Sequence, residues 1–154
     1  MSSLRPRQVR PSGHTLVLTA PARDAIEWHA RQGYPHEVVG ILAGAPGRVE
    51  VVQPLDNLDA ERPGDRYRVD GLALMRAEQA LERQGLAIIG YYHSHPDHPA
   101  MYSDTDRDLA LPNMAYLITA VAGGQPPTIV GHRCWRLAED RSEMTEDTLV
   151  LPDR

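Results

Sequence analysis

Apolar and polar residues follow two spacings along the chain, one typical of strands and the other of helices. Short apolar runs rich in Val, Ile and Leu, bounded by turn residues, predict strands. A further short strand is expected over 66–70, after a polar loop. The other predicted strands cover 14–19, 37–44, 48–55, 86–96, 115–122, 128–137 and 148–152.

Residues that typically start and end helices lie between these strands. The first predicted helix follows Thr19, a capping residue, and stops at Gly33. The second is capped by Asp70 and runs to about Gln84, with an apolar stripe at Leu74, Ala77 and Leu81. Because strands and helices are intermixed without repeats or a linker, the order predicts a single mixed α/β domain over 14–154.

Composition and charge narrow the range of functions expected of this protein. The 154 residues carry a net charge of −5, which disfavours nucleic acid because phosphate binding needs a basic face. No run is long and apolar enough to span a membrane, and residues 1–13 lack the apolar core of a secretory signal. We expect a disordered leader over 1–13 and a cytoplasmic protein without membrane partners. The single cysteine, Cys134, excludes an intrachain disulfide and is expected to be buried in a strand.

The stretch "GYYHSHPDHPAMYSDTD", residues 90–106, concentrates the candidate chemistry. On a strand, His93 and His95 project from the same face and form a pair of nitrogen ligands. Pro96 ends the strand, and Ser103 with Asp106 has the spacing of a capping box that opens a short helix. Asp106 can then face back toward the histidines, which leaves a fourth zinc position free, as in catalytic sites.

Each of these signals has an ordinary alternative. An isolated H-x-H is common, a Ser-x-x-Asp is usually only a helix cap, and a proline-broken polar loop can simply be solvated. Their order and spacing within one stretch favour zinc. His132, on a predicted strand, is expected to be structural. The "HEVVG" at 36–40 starts like H-E-x-x-H, but Gly40 stands where the second histidine belongs.

The full pattern resembles a known family. H-x-H-P-x6-S-x-x-D reads "HSHPDHPAMYSDTD" here, and an upstream E-x-x-G-x-L-x-G reads "EVVGILAG" from Glu37. Both are similar to the JAMM, or MPN+, zinc metalloproteases, and the resemblance covers about residues 14–137. It implies a cytidine-deaminase-like JAMM core, which is a mixed, mostly antiparallel sheet flanked by helices. It also implies one Zn²⁺ per chain on His93, His95 and Asp106, Glu37 as general acid/base, and Ser103 as oxyanion stabiliser.

The resemblance further implies an activity. Enzymes of this pattern hydrolyse a peptide or isopeptide bond after the C-terminal Gly-Gly of a ubiquitin-like or β-grasp sulfur-carrier protein. Two alternatives remain open from the sequence: a non-catalytic MPN-type binding scaffold, and a peptidase acting on cell-wall or other small peptides. The oligomeric state is also open, and a homodimer is compatible with the sequence.

Overall fold

The computed structural model describes residues 8–153, which form seven strands and three helices. In chain order these are β1 (Pro11–Leu18), α1 (Ala20–Gly33), β2 (Val39–Ala45), β3 (Arg48–Leu55), α2 (Gly71–Arg83), β4 (Ala87–Pro96), α3 (Asp104–Leu109), β5 (Ala115–Ala122), β6 (Thr128–Leu137) and β7 (Met144–Val150). Within the described range, no helix has the length and apolarity needed to cross a membrane.

The strands form one closed barrel in the order β1-β3-β2-β4-β5-β6-β7. Four of its seven pairings are antiparallel, and β1 closes it by pairing in parallel with both β3 and β7. The expected mixed, mostly antiparallel α/β architecture is therefore confirmed. The last strand, β7, lies between β6 and β1, where closure leaves no unpaired edge of the kind that invites aggregation.

Both faces of the central strands are covered. On one face α1 packs through Ala22, Ile26 and Ala30 against a core that includes Leu42 and the buried Cys134. On the other face α2 packs on Ile41 and Ala43 through Leu81. Strand β2 is buried on both sides, which explains why it reads as a continuous apolar run rather than an alternating one.

Two glycines allow the strands around the site to pack closely. Gly40 lies beneath the ring of Tyr92, and a Cβ at this position would overlap that ring. Gly90 lies against Ala115, where a Cβ would overlap the backbone of the neighbouring strand. The first glycine of "EVVGILAG" is thus needed for the packing of β2 on β4, independently of any chemistry.

The structure differs from the sequence-based expectation in several places, and three of them concern the leader or the segments next to the histidines. Strand β1 begins at Pro11, so residues 11–13 belong to the barrel rather than to the leader, and residues 1–7 lie outside the described range. Strand β2 begins at Val39, so Glu37 precedes it. Residues 66–70 form no strand; the backbone groups of Arg66 and Arg68 bond to Asn57 and Leu58 instead of to a neighbouring strand.

Candidate metal centre

The C-terminal end of β4 presents two imidazoles to one side of the sheet. His93 and His95 alternate with Ser94, and both rings are buried. Their Nε2 atoms lie 3.2 Å apart. Because β4 is hydrogen-bonded to β2 on one side and β5 on the other, the backbone that carries the pair is fixed.

Helix α3 returns a carboxylate to this pair. Asp106 Oδ1 lies 3.3 Å from His93 Nε2, and Oδ2 lies 3.4 Å from His95 Nε2. The predicted capping box at the start of α3 is present: the Asp106 amide donates to Ser103 Oγ at 3.0 Å, and the Ser103 amide donates to Asp106 Oδ2 at 2.8 Å. The cap therefore sets the direction of the carboxylate as well as the start of the helix.

Glu37 approaches the same point from the segment before β2. Its side chain is buried, and a carboxylate oxygen lies with nitrogens of His93 and His95 in a group whose atoms are all within 4.8 Å of one another. Its amide donates to Pro63 O at 2.6 Å, and its carbonyl accepts from Asn57 Nδ2 at 3.0 Å. Glu37 is thus held by the loop over residues 56–70, the 56–70 loop, and not by membership of a strand as expected.

The two carboxyl groups of the site titrate in opposite directions. Burial raises the pKa of Glu37 to about 8, with the positive charge of His95 opposing and the negative charges of Asp106 and Asp65 adding. Burial also acts on Asp106, but the charge of His93 and the hydrogen bonds from both histidines hold its pKa well below the usual range. A carboxyl with a raised pKa beside one that stays ionised is a common division between acid/base and binding roles.

The donor set fits zinc. Two imidazole nitrogens and a carboxylate are ligand types that Zn²⁺ accepts, in the number typical of catalytic sites. His95 Nδ1 lies 2.8 Å from Pro99 O, a hydrogen bond that places the proton on Nδ1 and leaves Nε2 free to bind a metal. Burial lowers the pKa of His95, but the hydrogen bonds with Asp106 and Pro99 outweigh it and the pKa is raised.

A cleft of about 620 Å³ opens over these groups. Its lining includes Glu37, His95, Ser103 and Asp106, with His93 buried beneath. Ser103 stands exposed at the rim, where its oxygen accepts the cap hydrogen bond and its hydroxyl proton is left for another acceptor. The structure therefore brings all five sequence-predicted site residues to one place.

Sequence reasoning missed three residues of this neighbourhood. Ser94 Oγ accepts from the Val38 amide at 2.9 Å and ties β4 to the segment that carries Glu37. Asn57 organises the 56–70 loop, and Tyr67 packs its ring 5.1 Å from that of His93. Ser94 had a visible signal, its place between two ligand candidates. The other two lie in a loop without periodicity and had none.

Comparisons with known proteins cover most of the chain. A family model described as prokaryotic homologs of the JAB domain matches residues 19–138. The desampylase of Haloferax volcanii is 39% identical over 115 residues, 70% of this chain and 82% of the relative. The probable TtuB-protein conjugate cleaving protease of Thermus thermophilus is 41% identical over 117 residues, 73% of this chain and 77% of the relative.

A further relative and a solved structure agree with these matches. The CysO-cysteine peptidase of Mycobacterium tuberculosis is 32% identical over 108 residues, 70% of this chain and 74% of the relative. The solution structure of a protein from Desulfitobacterium hafniense superposes with a TM-score of 0.73 at 28% identity, covering 91% of this chain and 94% of that one. The chain thus shares the fold of that protein over nearly its full length.

Proposed function

The chain belongs to the prokaryotic JAB-domain family of the JAMM/MPN group, and from this premise we propose that it is a zinc-dependent isopeptidase. Its proposed substrate is a small ubiquitin-like or sulfur-carrier protein joined through a C-terminal Gly-Gly to a lysine or an amino acid. The observation that carries the proposal is the convergence of His93, His95, Asp106 and Glu37 in one cleft.

The proposed ligands of one Zn²⁺ per chain are His93, His95 and Asp106. When bound, zinc supplies Lewis acidity that brings the ionisation of water to near pH 7. Glu37 accepts the proton that water loses and returns it to the leaving amine. Its burial and raised pKa suit a carboxyl that must hold a proton in transit. The hydroxyl of Ser103 donates toward the carbonyl oxygen as negative charge develops there.

The names of the relatives support the choice of substrate. One is a desampylase, one cleaves TtuB-protein conjugates, and one is a CysO-cysteine peptidase. Two of these names specify a conjugate, which is TtuB with a protein in one and CysO with cysteine in the other. A carrier conjugate accounts for both kinds of leaving group better than an unattached cell-wall peptide does.

The direct test uses the full chain with metal analysis and two conjugates of a β-grasp protein that ends in Gly-Gly. One conjugate is an isopeptide to a lysine side chain, and the other is a peptide to free cysteine. We expect one zinc per chain and hydrolysis after the second glycine. Asp106→Asn is expected to lose both zinc affinity and turnover, because it removes a charged ligand.

Other outcomes would support a different function. A metal-free, inactive protein that still binds the β-grasp protein would identify a binding scaffold. Faster cleavage of a peptide containing D-amino acids than of either conjugate would identify a cell-wall peptidase. Asp106→Asn with unchanged zinc content and turnover would contradict the proposed ligand set.

A further inference from the structure

Tyr67 occupies an unusual position for a loop aromatic. Its ring lies 5.1 Å from the ring of His93, tilted by 40°, so it covers the most deeply buried of the proposed ligands. It also lines the cleft together with Glu37, Ser103 and Asp106. The Tyr67 side chain therefore forms part of the wall of the cleft that also holds the proposed acid/base and ligand residues.

The loop that carries Tyr67 is fixed on both sides of it. Asn57 Nδ2 donates to the carbonyl of Arg66 at 3.0 Å, and Asn57 Oδ1 accepts from the amide of Arg68 at 3.1 Å. The same side chain donates to the carbonyl of Glu37. One amide group thus links the two chain neighbours of Tyr67 to the backbone of the proposed acid/base, and the ring is held in register with the site.

The hydroxyl of Tyr67 differs in its hydrogen bonding from those of four other tyrosines. Tyr34 donates to Asp97, Tyr91 donates to Glu78, Tyr92 bonds His29, and Tyr116 accepts from the Leu111 amide. Within residues 8–153, no protein group is hydrogen-bonded to the Tyr67 hydroxyl, which is therefore open to the solvent of the cleft. A phenol is protonated at neutral pH, so it offers one strong donor to the cleft.

We propose that the Tyr67 hydroxyl is a catalytic hydrogen-bond donor to the carbonyl oxygen of the scissile bond, acting beside Ser103 as a second oxyanion donor. The inference rests on the isopeptidase function proposed above. The proton stays on the phenol throughout, and its hydrogen bond shortens as the carbonyl carbon becomes tetrahedral and the oxygen gains negative charge. A donor held before the reaction begins needs no reorganisation when the charge appears.

The test variant is Tyr67→Phe, which keeps the ring on His93 and removes only the hydroxyl. Tyr91→Phe is the matched control, because it removes a tyrosine hydroxyl from the same molecule outside the cleft lining. The substrate is a synthetic Ala-Ala-Gly-Gly peptide joined to the ε-amine of a fluorescent lysine. Loss of one oxyanion donor typically lowers kcat by about 10²–10³-fold. We expect a loss of that order in Tyr67→Phe, with KM and zinc content unchanged.

A binding measurement separates this role from a structural one. Two ligands are compared: the free Ala-Ala-Gly-Gly peptide, and an analogue in which a tetrahedral phosphinate replaces the scissile amide. Tyr67→Phe should weaken only the phosphinate, by a factor of roughly 10 or more. Equal weakening of both ligands, or a fall in zinc content, would overturn the inference in favour of a structural ring. An unchanged kcat in Tyr67→Phe would also overturn the inference. The proposed function would still stand in that case, provided that the wild-type protein cleaves the substrate.

Discussion

Two groups of histidine and carboxylate lie on opposite faces of the same sheet. One is the candidate metal centre on β4 and α3. The other joins His132 of β6 to Glu27 of α1 and to Thr119 of β5. Thr119 is paired with Ser94, and Ser94 points away from the face on which His93 and His95 project. Residue type and burial are alike in the two groups, and their geometry differs.

In the second group, both ring nitrogens of His132 are already hydrogen-bonded within the protein. His132 Nδ1 lies 2.8 Å from Thr119 Oγ1, Nε2 lies 2.7 Å from Glu27 Oε2, and Arg23 Nε donates to the same carboxylate at 3.1 Å. Each ring nitrogen of His132 faces one complementary partner. In the metal centre, by contrast, the two imidazole Nε2 atoms face one another and share the carboxylate of Asp106. A site for a cation is therefore distinguished by lone pairs that converge on one point, rather than by its composition.

The largest expected effect comes from neutralising one carboxylate in each group. Glu37→Gln should lower kcat by about 10²–10⁴-fold, because it removes the proton acceptor, and should leave zinc content unchanged. Glu27→Gln should leave the kcat of the folded protein unchanged. It should lower the free energy of unfolding by roughly 1–3 kcal/mol, because a buried charged partner of Arg23 is lost. Steady-state kinetics, metal analysis and urea unfolding measure the three quantities.

The same two variants can also show that the metal centre and the second group do not differ in function as proposed. Full turnover in Glu37→Gln would show that the proposed base is wrong. A loss of kcat in folded Glu27→Gln as large as in Glu37→Gln would mean that the two groups act as one functional unit across the sheet.

The next effect in size concerns Ser103, which serves both the helix cap and the cleft. Ser103→Ala should lower kcat by about 10²-fold through the lost donor, and should destabilise the start of α3 by about 1 kcal/mol. Since the cap also directs Asp106, zinc affinity should fall as well. Ser103→Thr keeps a hydroxyl and a capping oxygen, and is expected to restore all three. Wild-type kcat in Ser103→Ala would remove this residue from the catalytic machinery.

Local rules made the metal centre predictable from the sequence. The period of a strand places His93 and His95 on one face, and a capping box of fixed spacing orients Asp106. The packing that surrounds them was not predictable in the same way. Glu27 and His132 are separated by 105 positions, and nothing near either residue signals the other. Only the pairing of β5 with β6 and the docking of α1 bring them together.

The 56–70 loop was also beyond sequence reasoning. Its order comes from Asn57, whose single amide makes hydrogen bonds to backbone groups at positions 37, 66 and 68. Such side-chain bonds leave no pattern in the sequence. The residue types at 66–70 alone predict a short strand that the structure does not contain, and they do not mark Tyr67 as a site residue. The prediction that Glu37 lies on a strand was wrong for the same reason. Hydrogen bonds to the 56–70 loop, rather than strand pairing, hold the backbone of this residue.

A smaller effect is expected from the turn that follows β4. Asp97 accepts hydrogen bonds from the Gly123 amide and the Tyr34 hydroxyl, and so holds the turn whose Pro99 carbonyl lies at His95 Nδ1. Asp97→Ala should weaken zinc binding by about 10-fold, because the outer partner that orients a ligand histidine becomes mobile. Competition with a chromogenic chelator measures the affinity.

The control for this turn is Asp97→Asn. Asp97 has a φ of 58°, a left-handed conformation that asparagine tolerates and alanine does not. Asparagine also keeps an acceptor for the Gly123 amide. Its zinc affinity should stay near that of the wild type. Equal loss in both variants would place the effect in the charge of Asp97 rather than in the geometry of the turn.

The smallest effect, on the stability of the metal-free chain, has opposite signs in the two groups. The pKa of Glu37 is about 8 in the folded chain and about 4.5 in its ordinary state, so the folded chain keeps a proton that the unfolded chain has lost. Stability of the metal-free wild type should therefore fall as pH rises from about 4.5 to 8. Glu37→Gln lacks this penalty and should be more stable than the wild type at pH 8. The depressed pKa of Asp106 is common to both proteins and largely cancels in the difference.

Urea unfolding with chelator at pH 5 and pH 8 should thus show a gain that grows with pH for Glu37→Gln. Glu27→Gln, whose carboxylate already has two partners, should show a loss at both values.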